Sequence, residues 1–231
     1  MDEAATLAEQ ISYYRARAHE YDGWWLREGR YDRGPEANAR WFAEVETVER
    51  AVAEFEPAGE VLELACGTGL WTRRLIDYAA HVTAVDSSDE VIAINRVRVD
   101  DQRVEYVQAD LFEWTPPVAR FDVCFFGFWL SHVPEARFEQ FWEKVRGALR
   151  PGGRVLFIDS DRSDRSTAAD HHLPELGEET MTRRLDDGRQ FQIIKRFYEP
   201  AVLEERLAEL GWTVEVQCSG EFFICGAGAP A

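Results

Sequence analysis

The sequence predicts an α/β fold built on a mainly parallel sheet, and three observations predict it. The run Val61-Leu62-Glu63-Leu64-Ala65-Cys66-Gly67-Thr68-Gly69 passes from a short, β-prone apolar stretch into a glycine turn, after which Leu70 to Leu75 return apolar residues at helical spacing. A second apolar run, His81 to Val85, ends on an acid, Asp86. Strand-like and helix-like stretches then alternate from residue 60 to residue 160, the pattern of parallel β-α-β units.

The elements follow in order. Residues 2 to 28 have helical spacing, Gly29 to Pro35 form a charged, glycine-bearing break, and Glu36 to Phe55 are helical again through Trp41, Phe42, Val45 and Val48. Strands are expected at Val61–Ala65, His81–Val85, Val104–Val107, Phe121–Phe126 and toward Asp159, with helices over 70–79, 88–98 and 135–149. A polar segment, Ser160 to Thr180, interrupts the alternation. Asp187-Gly188 between the β-prone runs around Arg183-Arg184-Leu185 and Gln190 to Phe197 then signals a hairpin. A helix from Pro200 to Leu210 and an antiparallel pair, Trp212–Val216 with Phe222–Cys225, complete the pattern. At 231 residues the chain suits one domain. It divides into a helical cap (1–55), a cofactor-binding core (56–160), an insertion with a hairpin lid (161–198) and a terminal helix and strand pair (199–231).

Composition narrows the function. Hydrophobic residues at 45% and charged residues at 30% are ordinary for a soluble protein, and no stretch reads as a membrane span. Met1-Asp2-Glu3 lacks the basic and apolar regions of a signal peptide. Four cysteines without a C-x-x-C pair read as small core residues of a reducing cytoplasm. A net charge of −17 argues against nucleic acid as partner, although Arg183, Arg184, Arg189, Lys195 and Arg196 form a local basic patch.

The glycine turn has its own chemistry. Glycines at 67 and 69 allow positive φ and let a ligand approach the backbone, at the carboxyl end of a strand where open α/β sheets bind ligands. Asp86 ends the next strand at the same crevice, where a carboxylate can accept both hydroxyls of a ribose. A Gly-x-Gly turn alone also suits a Rossmann-type oxidoreductase. The dinucleotide pattern G-x-G-x-x-G is not met, since no third glycine follows Trp71 and Thr72. Glu63 in the first strand would repel a diphosphate and suits a cationic amino-acid tail, so the residues favour a cofactor with an ammonium group and no phosphates.

On this acid-and-glycine motif the chain resembles the class I S-adenosylmethionine-dependent methyltransferases. The resemblance implies a Rossmann-like, seven-stranded, mainly parallel sheet flanked by helices, with S-adenosyl-L-methionine as cofactor and S-adenosyl-L-homocysteine as product. In Gln108-Ala109-Asp110-Leu111-Phe112 it implies an acid, Asp110, on the adenine amino group and an apolar residue, Leu111, against the ring. Phe121 to Phe126 and Leu149-Arg150-Pro151-Gly152-Gly153 to Asp159 match the family's fourth and fifth strands. The implied cofactor residues are Glu63, Ala65, Gly67, Gly69, Trp71, Asp86, Ser87, Asp110, Leu111, Phe112 and Phe126. Tyr14 and Arg17, at helical spacing with Tyr21, join them if the amino-terminal segment closes as a cap; otherwise that segment is an amphipathic helix packed on the sheet.

In this family the acceptor site is built from the amino-terminal segment, the loop after the fourth strand and an insertion after the fifth. Gly127 to Pro134 lacks the Asn/Asp-Pro-Pro-Tyr/Phe motif of enzymes that methylate nucleobase or glutamine amino groups. His132 there is either a general base or an orienting residue. His171-His172 have no acidic or cysteine partner at metal spacing and read as exposed loop residues, so no metal is expected. The run Arg183 to Lys195, with Ser12–Ala18 and Trp129–Pro134, is similar to phosphonate O-methyltransferases of the kind found in dehydrophos biosynthesis. That similarity implies a natural-product role, O-methylation of a small phosphonate or carboxylate, and anion contacts from Arg183 or Arg184 and Lys195; Trp129 and Tyr31 are further candidate acceptor residues, Tyr31 in the stretch Gly23 to Pro35 that departs from those enzymes. Three alternatives stand beside it. The basic run can be a solvated strand face, the acceptor can be a neutral oxygen, nitrogen or sulfur compound, or the protein can bind the cofactor without turnover because Trp24, Trp25, Phe128 or Trp129 fills the acceptor cavity. The expected partner is a small molecule, met by a monomer or homodimer.

Overall fold

The computed structural model describes residues 3–175 and 177–231; Met1 and Asp2, where the predicted first helix and the signal-peptide reading begin, lie outside the described residues. Among the described residues nine strands run in chain order: β1 (Gly59–Leu64), β2 (Ala79–Asp86), β3 (Val104–Gln108), β4 (Phe121–Gly127), β5 (Leu149–Ser160), β6 (Thr180–Arg184), β7 (Gln190–Ile194), β8 (Trp212–Cys218) and β9 (Phe223–Pro230). Seven form one sheet in the order β3-β2-β1-β4-β5-β9-β8, in which β9 runs antiparallel to its neighbours β5 and β8 and the other pairs are parallel. The predicted sheet is therefore present. Its chain order reverses between β1 and β4, which opens a crevice at their carboxyl ends.

Both faces of the sheet are covered. On one side lies α3 (Pro35–Phe55), which starts on a proline and buries Trp41, Val45, Val48 and Val52 on one helical stripe. On the other lie α6 (Phe138–Ala148), burying Phe138, Phe141, Trp142 and Val145, and α7 (Pro200–Glu209), burying Leu203 and Leu207. Helix α5 (Asp89–Val99) is capped by Ser88, whose Oγ accepts from the Val91 amide at 3.3 Å. Among the described residues no helix is long and apolar enough to cross a membrane.

Two predicted helices are shorter in the structure. The helix expected over 70–79 is a single turn, α4 (Thr72–Leu75), because β2 already begins at Ala79, opposite Gly59. The stretch expected to be helical to residue 28 is broken into α1 (Glu3–Ala16) and α2 (Tyr21–Trp25), and Arg27 at φ 57° ends it. The Arg27 side chain is buried, with Nη2 donating to the Arg165 carbonyl at 2.7 Å and the guanidinium 4.6 Å from the Trp41 ring.

The hairpin forms where Asp187-Gly188 predicts it, β6 pairing with β7 and Gly188 at φ 90°. It packs on α1 through Tyr13, Met181, Leu185 and Ile193. The outer edge of β7 is not left open: Glu9 Oε1 accepts from the Gln192 amide at 2.7 Å and Gln10 Oε1 from the Ile194 amide at 2.9 Å. Two polar side chains of α1 thus satisfy donors that would otherwise template another strand.

Candidate active site

The crevice at the carboxyl ends of β1 to β4 forms a cleft. After β1 the backbone turns through positive φ at Ala65 (54°), Gly67 (51°) and Gly69 (90°). A side chain at Gly69 would meet Asn95 Oδ1 at 2.6 Å, so that position needs glycine for space as well as for φ. Asn95 pins the turn from α5, its Nδ2 donating to the Gly67 carbonyl at 3.2 Å and to Thr72 Oγ1 at 2.8 Å. Asp86, at the end of β2, accepts from the Gly67 amide through Oδ2 and from the Ser88 amide through Oδ1, both at 3.0 Å. Burial raises its pKa, and these amides oppose the rise. Asp110 accepts from the Phe112 amide at 2.9 Å. Ala65, Gly67, Asp86, Ser87, Asp110, Leu111 and Phe112 line the cleft, and Leu7, Gln10, Ile11 and Tyr14 from α1 cover it. About 700 Å³ of space lies between these walls, counting the solvent at its open mouth.

A second chamber adjoins the first and shares Tyr14, Tyr21, Phe128 and His132 with it. Phe128 forms part of this common wall in the left-handed region at φ 58°, a conformation that costs an aromatic residue about 1–3 kcal/mol and collects at functional sites. The other walls bring together Arg17 after α1, Trp24 of α2, Ser160, Ser166 and Thr167, and Arg183, Lys195 and Phe197. Lys195 is buried, donates to Ser131 Oγ at 2.9 Å and stands 3.7 Å from Asp159 Oδ1. Burial pulls its pKa down to about 8. Arg17 donates to the Tyr31 hydroxyl at 3.2 Å, and Arg183 Nη1 donates to Thr167 Oγ1. Among the described residues neither arginine has a carboxylate within 4.0 Å, and the Nε of each is buried without a partner.

Proton inventory fixes the state of His132. Its Nδ1 lies 2.6 Å from the Ile194 carbonyl oxygen, which can only accept, so Nδ1 carries the proton. Nε2 then accepts from the Tyr14 hydroxyl at 2.6 Å. Burial, with the Lys195 charge added, holds the His132 pKa well below its ordinary value, so the ring is neutral at pH 7.

A methyltransferase-domain family profile matches residues 61–153, the span from β1 through the start of β5. Over the whole chain, the structure of the DhpI–SAM–HEP complex is similar with 40% identity and TM-score 0.79, covering 100% of both chains. The DhpI–SAH complex agrees at 39% identity and TM-score 0.78, covering 100% of this chain and 99% of that one. This chain belongs to the class I S-adenosylmethionine-dependent methyltransferases. Its cofactor is S-adenosyl-L-methionine. Curated relatives include the demethylmenaquinone methyltransferase of Clavibacter sepedonicus, 37% identical over 112 residues (48% of this chain, 44% of that protein). Another is the trans-aconitate 2-methyltransferase of Rhizobium meliloti (strain 1021), 31% identical over 164 residues (69% of this chain, 60% of that protein). The matches span between 44% and 60% of the length of these two relatives.

The cleft of this methyltransferase fits its cofactor. Its walls hold Asp86 and Asp110 and, among the described residues, no lysine or arginine, which suits an adenosine with a cationic tail and not a diphosphate. Several predicted residues stand elsewhere. Glu63 is buried behind the turn and not on the cleft wall; burial pushes its carboxyl up to about 8, so it is largely neutral at pH 7. Trp71 packs against Trp25 and Phe125, and Gly69 lies against Asn95, both behind the wall. Phe126 stacks on Phe157 at 5.4 Å in the core under α6, since strand alternation turns it to the opposite face from Phe125. Arg17 faces the second chamber rather than the cofactor cleft, whereas Trp129 lines the cleft beside Phe112. Tyr31 sits beneath Arg17, and Arg184 points outward with 53% of its side chain exposed, 3.8 Å from Asp170.

Further lining residues come from outside the motifs. Ser160, Ser166 and Thr167 line the second chamber, and nothing in their local pattern marks them. Leu7, Gln10 and Ile11 extend the helical spacing of Tyr14, so their signal was present. His171, expected to be exposed, is buried: its Nδ1 lies 2.9 Å from Arg183 Nη1 and its Nε2 accepts from the Arg184 amide at 2.9 Å. Among the described residues no cluster of three metal-ligating side chains occurs.

Proposed function

We propose that the protein methylates an anionic oxygen of a small phosphonate or carboxylate. The observation that carries this reading is the second chamber, where Arg17, Arg183 and Lys195 converge beside the cofactor cleft and both arginines keep an unpartnered Nε. Arg17 is buried and Arg183 half-buried, neither with a carboxylate partner, while Lys195 is shared with Asp159; burying an uncompensated cation is costly, and an anionic ligand supplies the missing partner. The similarity to the DhpI–SAM–HEP complex and to a trans-aconitate methyltransferase agrees with an acidic acceptor.

The cofactor supplies a methyl group already activated by its sulfonium. In this reading Asp86 accepts from the ribose hydroxyls, Asp110 from the adenine amino group, and Leu111 and Phe112 pack on the ring. The cations of the second chamber fix the acceptor's anionic group, and Trp24, Phe128 and Phe197 exclude water. Alignment of this kind can supply about 7 to 11 kcal/mol. A phosphonate or carboxylate oxygen arrives deprotonated, so no base is needed. His132 could not readily act as one, because Nε2 is taken by Tyr14 and a second proton on the ring would face Lys195. Methylation removes one negative charge from the acceptor, which loosens the clamp and favours product release.

Two measurements test this. Release of S-adenosyl-L-homocysteine should be confined to anionic acids in a panel of small phosphonates, carboxylates, phenols and thiols. The Arg184→Ala variant should match the parent within about twofold, as expected for an exposed side chain; turnover of a neutral phenol or thiol would discard the clamp. In the second, His132→Gln should lower kcat by about tenfold or less through loss of Tyr14 positioning, with no change in the shape of the pH profile; general-base removal would cost about 100- to 10,000-fold.

A further inference from the structure

The cap and the glycine turn are joined by a contact of three groups that neither chamber uses. Thr68, buried between Gly67 and Gly69, donates through Oγ1 to Asp22 Oδ1 at 2.6 Å. Arg98 of α5 donates through Nη2 to Asp22 Oδ2 and through Nη1 to Thr68 Oγ1 at 3.2 Å. Each group is satisfied by the other two: both carboxylate oxygens are engaged, the hydroxyl gives one bond and takes one, and the guanidinium fork spans them.

Asp22 occupies the first turn of α2, next to Tyr21, whose ring lines both chambers and lies 4.9 Å from the Arg17 guanidinium. Two residues on, the Trp24 indole donates to the Ser166 carbonyl at 2.6 Å. On the other side, the Gly67 amide is held by Asp86. A continuous line of contacts therefore runs from the cofactor cleft through Gly67 and Thr68 to Asp22 and on to the walls of the second chamber.

We infer that Asp22 is a positioning residue that sets the register of the acceptor chamber against the cofactor cleft. A ligand seated on Gly67 and Asp86 fixes the turn, the turn fixes the Thr68 hydroxyl, and Thr68 with Arg98 fixes α2 together with Tyr21 and Trp24. This rests on the two-chamber reading of the site. A partly exposed ion pair alone holds little; the side chains of Arg98 and Asp22 are 28% and 26% exposed, and the buried hydroxyl between them makes the position definite. By linkage, a ligand in either chamber then tightens binding in the other.

The test is amide hydrogen exchange of residues 21–27 with and without S-adenosyl-L-homocysteine, in the parent, Asp22→Asn and Asp22→Ala, beside calorimetric affinities for the same ligand. The ligand should slow exchange of 21–27 about tenfold in the parent, little in Asp22→Ala, and to an intermediate degree in Asp22→Asn, which keeps an acceptor for Thr68. Acceptor KM should rise about tenfold in Asp22→Ala, and Thr68→Val should add nothing to it, since both act through one contact. Equal protection of 21–27 in all three proteins overturns the assignment, as does loss of protection spread over the whole chain in Asp22→Asn. The exchange measurement needs no acceptor. A parent that protects 21–27 yet turns over no anion sinks the acceptor reading and leaves the role of Asp22 standing.

Discussion

Replacing Lys195 by methionine is expected to raise the KM for an anionic acceptor by about 30- to 1,000-fold, equivalent to about 2–4 kcal/mol for truncating one partner of a buried, hydrogen-bonded charge pair. Affinity for S-adenosyl-L-homocysteine should stay within about twofold, since Lys195 lines the second chamber and not the cofactor cleft. The fold should survive the change. Asp159, the carboxylate beneath Lys195, keeps bonds from the Ser131 amide at 2.8 Å and the Ser160 amide at 2.7 Å, and methionine refills most of the volume. The pH dependence gives an independent readout. Burial lowers the Lys195 pKa to about 8, so its charge is present below that value and lost as pH rises through it. With a carboxylate acceptor, ionised throughout the range from about pH 6.5 to 9.5, the parent's KM should climb above pH 8 and the variant's should be flat. A KM unmoved by the substitution, or the same climb in both proteins, would remove Lys195 from the acceptor site.

The second large effect is expected at Asp86. Its carboxylate is held at the lip of the cleft by the Gly67 and Ser88 amides, with both oxygens fixed in direction. Asp86→Ala should weaken binding of S-adenosyl-L-homocysteine by about 1.5–3 kcal/mol, or about 10- to 150-fold, through loss of charge-assisted hydrogen bonds. Asp86→Asn should retain more affinity, because an amide oxygen still accepts one bond. Calorimetric titration decides the matter: unchanged affinity in the alanine variant would mean that the ribose hydroxyls are held elsewhere.

The cleft around the glycine turn was legible because it is local. Val61 to Gly69 puts strand, turn and helix start within a few residues, and a parallel strand ending on Asp86 can deliver that side chain only to the same crevice. Asp110 and Leu111 follow β3 by the same logic. Glu63 shows where local reading stops. Its place in the strand was evident, but its burial behind the turn depends on what packs over β1.

The second chamber is of a different kind. It gathers Arg17, Trp24, His132, Thr167, Arg183 and Lys195 from segments far apart in the chain. A charge at such a position has no local signature of which way it points. Arg183 and Arg184 illustrate this: strand alternation sends one inward and one outward, and the choice follows from Met181, which is buried and shares the face of Arg183. His171 had no metal-spaced partner in sequence and acquired the Arg30 and Arg183 guanidinium groups and the Arg184 amide as neighbours on folding. The sequence by itself determined the fold class, the cofactor turn and the acids beside it, since those depend on short-range periodicity and strand ends. Only the tertiary structure decided which cations converge, because long-range packing sets the direction and burial of a charged side chain.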